Sequence, residues 1–76
     1  MPDSALADQL TEVAERLLNA TSETYVDGDD VAREAGYDPE DVGLYEAFRE
    51  IERRGTLKVD GWRGAVNLPG FVGLPG

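Results

Sequence analysis

The chain has neither cysteine nor histidine among its 76 residues, so apolar burial alone must hold it together. No disulfide or thiolate-bound metal can staple it, and a domain this short buries only about 60% of the surface its unfolded chain exposes. There is room for one core and therefore one domain. The same absence removes the usual general base and the commonest metal ligand. An enzyme built from what remains would need a carboxylate pair in a concave pocket, which so small a domain rarely encloses. The sequence therefore predicts no enzyme, no metal, no cofactor and no small-molecule substrate.

The apolar residues fall into stripes. Leu6, Leu10, Val13 and Leu17, widened by Ala14, recur at helical spacing and predict a helix over residues 5–19. Asp3 or Ser4 can cap it, and Glu12 can pair with Arg16 on the wet face. Thr24-Tyr25-Val26 is a short run of β-formers. Asp27-Gly28-Asp29-Asp30 then leads into a second helix from Val31 to about Ala35, stopped by Gly36. A third helix is predicted over residues 40–54, with Pro39 near its start and Gly55 as its stop. On it Leu44, Ala47, Phe48 and Ile51 fall within about 100 degrees, the arc of a core-facing stripe. Thr56 to Val59 reads as a strand, Asp60-Gly61 as a two-residue hairpin turn, and Trp62 to Leu68 as the return strand. From Leu68 the chain reads Leu68-Pro69-Gly70, Phe71-Val72-Gly73, Leu74-Pro75-Gly76, triplets ending in glycine without a single charge, so residues 69–76 have the composition of an extended apolar tail.

Charge divides the chain. Its net charge is −9, yet residues 1–48 carry 13 acidic and two basic side chains, whereas residues 49–76 carry five basic and three acidic. A uniformly basic coat for nucleic acid or for an anionic membrane is thereby excluded. No apolar run approaches the roughly 18 residues of a membrane span, and the chain reads as cytoplasmic.

The order helix, short strand, helix, turn, helix, strand, hairpin, strand resembles the winged helix-turn-helix superfamily. The resemblance is most specific over residues 26–59. Asp30-Val31-Ala32-Arg33-Glu34-Ala35-Gly36 is similar to the second helix and turn of those domains. Ala47 to Leu57 is similar to the third helix running through a glycine into the first wing strand. The expected fold is thus mainly α with a small β-hairpin, an α+β domain of three helices plus a wing over residues 1–68, followed by the tail. The connection from Tyr37 to Val42 is about two residues longer than the tightest version of the motif. In DNA-binding members the start of the third helix enters the major groove. Here that segment carries Asp38, Glu40 and Asp41, which also suit a helix start.

Two constellations are candidates for function. The resemblance implies a DNA-contacting surface made by the far half of the third helix and the wing, with Arg49, Arg53, Arg54, Lys58 and Arg63 on phosphates. Such binding would be weak and salt-sensitive, in the manner of a small transcription regulator. The same arginines could instead pair locally, Glu50 with Arg54 and Glu46 with Arg49 or Arg53. The second set is apolar: Val42, Tyr45 and Trp62, with Phe71, Val72 and Leu74 of the tail. Aromatic residues beside arginine are the enriched chemistry of protein interfaces, which points to a protein partner or a homodimer. The tail could equally fold back and cover them. The run Asp27, Asp29, Asp30 lacks the oxygen ligand and the glycine that a calcium loop needs next, where Val31 and Ala32 stand.

Overall fold

The apolar stripes become helices, and the segment read as a tail becomes the middle of a sheet. The structure, a computed structural model, describes residues 4–63 and 68–75. In chain order it contains α1 (Ser4–Thr21), β1 (Tyr25–Val26), α2 (Gly28–Glu34), α3 (Val42–Arg54), β2 (Lys58–Trp62) and β3 (Pro69–Gly73). The strands form one antiparallel sheet in the order β1-β3-β2. The result is a small α+β domain of three helices against a three-stranded sheet. Among the described residues no helix is long and apolar enough to cross a membrane.

Among the described residues the core is entirely apolar. Leu44, Ala47, Phe48 and Ile51 of α3 are all fully buried, as their spacing predicts. On α1 the buried line is Ala7, Leu10, Val13, Ala14 and Leu18, while Leu6 and Leu17 sit at its margin. The face is thus turned slightly from the expected stripe toward Ala7 and Leu18, and the small Ala7 and Ala14 let neighbouring elements approach. Val31 and Ala32 of α2, Leu57, Leu68 and Val72 complete the cluster.

Caps decide where the helices begin and end. α2 starts at Gly28, three residues earlier than predicted, because the Asp27 carboxylate accepts the Asp29 amide at 2.9 Å. α3 starts at Val42, two residues later than predicted. Asp38 accepts the Glu40 amide through its side chain and the Asp41 amide through its carbonyl, which folds Asp38–Asp41 into a turn. At the other end, Gly55 adopts the left-handed conformation, and its amide closes on the Ile51 and Glu52 carbonyls.

The hairpin departs most from the sequence reading. Asp60-Gly61 is no hairpin turn: β2 runs straight through it to Trp62. Gly61 does take a left-handed φ of 67°, but it spends it inside the strand. In a regular strand Val59 and Trp62 would point to opposite faces. With the backbone reversed at Gly61, both pack against the core. The hairpin closes further on, where the Arg63 amide donates to the Leu68 carbonyl. The return strand is therefore Pro69–Gly73, not Trp62–Leu68; residues 64–67 of the expected strand lie outside the described residues, as does the Asp3 cap.

The boundary at residue 68 is corrected as well. β3 lies between the other two strands, with Val72 fully buried between Val26 and Val59 in the register. Among the described residues β3 is the strand that joins the two edge strands.

Candidate functional site

The five cations expected to face phosphates do not form one surface. Arg49, Arg53 and Arg54 lie on α3, and each is held by a carboxylate. Arg49 donates to Glu52 at 2.8 Å, Arg53 to Glu50 at 2.6 Å, and Arg54 to Glu50 at 2.9 Å and to Asp8 of α1 at 2.8 Å. Glu46, an expected partner, takes part in none of these bonds. Arg63 turns to the start of α2, where it bridges Asp27 and Asp29. The acidic run there thus serves as a helix cap and an arginine clamp. Among the described residues only Arg16 and Lys58, of the seven cations, have no carboxylate partner. Arg16 consequently lacks the predicted pairing with Glu12.

Glu50 is the hub of the α3 charges. The hydrogen bond from Arg53 and then that from Arg54 hold its pKa below the ordinary glutamate range, against a smaller opposing effect of burial. A carboxyl whose pKa is lowered by folding stabilises the folded state above its unfolded pKa, about 4.3 for glutamate, and loses that contribution as pH falls through the folded value. Thermal unfolding of the protein and of Glu50→Gln at about pH 7 and about pH 3 should therefore show a gap at the higher pH that narrows at the lower. An equal gap at both would mean that the pairs do not depend on the Glu50 charge.

The aromatic residues separate into two groups. On the α3 side, the Arg49 guanidinium stacks 4.0 Å from the Trp62 ring and 5.3 Å from that of Tyr45. The two rings meet edge to face at 5.7 Å. Arg49 Nε also donates to the Tyr45 hydroxyl, and Trp62 Nε1 to Glu52. Bonds to Glu52 and then to Tyr45 raise the Arg49 pKa, so it stays charged throughout. The four side chains make a clamp between α3 and β2, with Tyr45 and Trp62 half-buried in it. Val42 opens α3, but its side chain lies outside the described residues.

The second group lies on the outer face of the sheet. Tyr25 sits opposite Gly73, which sits opposite Lys58, while Phe71 sits opposite Asp60. A Cβ on Gly73 would stand 2.8 Å from the Tyr25 ring, so that ring lies directly over the glycine. Phe71 covers Gly61 in the same way, and the two rings meet edge to face at 5.9 Å. Tyr25, Lys58, Asp60 and Phe71 line a shallow cleft of about 240 Å³. Phe71 is 54% exposed and Leu74 46%, but Val72 points into the core and leaves the candidate surface. Tyr25, which the sequence marks only as a β-former, joins that surface. Its signal was the partner glycine, visible only once the register is known.

Comparison with protein-family models, with curated proteins and with solved structures gives no match.

Proposed function

We propose that this chain is a winged-helix module that works by protein contact and does not use DNA. The winged-helix reading is supported by the element order and by a sheet in which the first strand pairs with the last. The functional reading rests on one observation: Arg49, Arg53, Arg54 and Arg63 are each already engaged by a carboxylate. A phosphate would have to displace those partners, and each guanidinium–carboxylate pair presents little net charge to an approaching duplex. Lys58 is the exception, and one neutralised phosphate supplies little affinity. The chain's net charge of −9 adds long-range repulsion. Meanwhile Tyr25 and Phe71 stay exposed on the outer sheet face, and Leu74 stays exposed beyond the end of β3, the kind of side chains a protein partner covers.

The test is a fluorescence-anisotropy titration of labelled random-sequence duplex at low and moderate salt. No saturable binding is expected at either. Binding whose log–log salt slope exceeds about 3, and which Arg53→Glu abolishes, would establish a phosphate surface and overturn the proposal.

A further inference from the structure

We infer that β2 pairs with β2 of a second copy of this chain, across a two-fold axis at Val59. The inference deepens the protein-contact reading, on which it rests, by naming a partner. β2 is an edge strand, hydrogen-bonded only to β3 among the described residues. An unpaired strand edge is a template for another strand.

The side chains along this edge are self-complementary. In an antiparallel pairing that places Val59 opposite Val59 of the second copy, Lys58 stands opposite Asp60 of that copy, and Asp60 opposite its Lys58. Two oppositely charged cross-strand pairs form at once, on the same face. Among the described residues Lys58 has no carboxylate partner. Among the described residues the Asp60 carboxylate accepts only the adjacent Gly61 amide, so it retains acceptor capacity for an ammonium group. Shifting the register by two residues, so that Asp60 faces Asp60, would set like charges against each other. The strand thus favours one alignment. Gly61, with its left-handed φ, limits regular pairing to about Lys58–Asp60.

The outer face continues across this seam. Lys58 and Asp60 form one wall of the cleft that Tyr25 and Phe71 close on the other side. Pairing the edges therefore joins two three-stranded sheets into one of six strands, with the two clefts flanking the axis. Because the interface is isologous, it closes as a dimer and does not propagate.

Sedimentation velocity across a concentration series up to about 1 mM reads the dimer directly. A concentration-dependent dimer is expected. Lys58→Asp and Asp60→Lys each place like charges opposite each other twice, and each should weaken dimerisation by about tenfold or more. The double variant Lys58→Asp with Asp60→Lys restores both pairs in reverse and should recover affinity to within about threefold. Circular dichroism verifies that each variant is folded, since both positions are exposed. A monomer throughout the series, a dimer indifferent to the single reversals, or a double variant that fails to recover would each overturn the interface. A monomer that also ignores duplex DNA would leave the protein-contact reading standing. A dimer that binds duplex through Arg53 would retain the interface and overturn that reading.

Discussion

A chain ending at Leu68 is expected not to fold at all. The eight residues removed have the composition of a tail, but Pro69–Gly73 is the strand that joins β1 to β2. Without it the sheet loses every inter-strand pairing, because β1 and β2 do not touch each other in the ladder. Burial of Val72, worth about 1.5–3 kcal/mol, disappears as well. Pro69, equally buried, packs its carbonyl and ring against Gly28 at the start of α2. For a domain of 76 residues the whole stability is about 4–11 kcal/mol. The truncated chain should show little native near-ultraviolet signal from Trp62 and no cooperative thermal transition. A native-like spectrum with a cooperative melt would mean that the strand is dispensable.

Helices and strands were not equally legible in the sequence, and the difference has a physical origin. A helix is written locally: the spacing of Leu44, Ala47, Phe48 and Ile51 specifies which face is buried without reference to any other element. All four are fully buried. Its ends depend on side chains a few residues away, so the cap at Asp27 and the turn at Asp38–Asp41 moved boundaries by only two or three residues. A hairpin depends on pairing between distant segments. Asp60-Gly61 carries the local signature of a turn, and the left-handed φ it advertises is there. That φ reverses a strand face instead of the chain direction, and Trp62 is turned toward Arg49 and the core.

The candidate site follows the same rule. Bonds spanning three or four residues on α3, such as Glu50 with Arg54, follow from helical spacing. Bonds that cross the fold, Arg63 to Asp27 and Arg54 to Asp8, have sequence separations of 36 and 46 and leave no local mark. These long bonds redirect the charge that seemed available to a phosphate. Tyr25 over Gly73 is of the same kind, a ring and a glycine brought together by register alone.

Phe48→Ala is expected to cost about 3–5 kcal/mol, read as a fall in the urea midpoint. Phe48 is the largest fully buried side chain, lying in the middle of α3 with no exposed surface. Among the described residues no polar side chain shares the core, so no buried hydrogen-bond network among them holds the helices in place once the ring is gone. With a total of about 4–11 kcal/mol to draw on, that loss removes from roughly a quarter to the whole of the stability. Leu74→Ala makes the proper contrast. It also shortens a large apolar side chain, but one that is 46% exposed beyond the end of β3, and it should shift stability by no more than about 0.5 kcal/mol. If the two substitutions cost the same, stability would track apolar content rather than position. If Phe48→Ala alone collapses the domain, then three helices and a sheet without any crosslink are held by one small cluster, and the exposed aromatics of the outer face are left free to meet a second molecule.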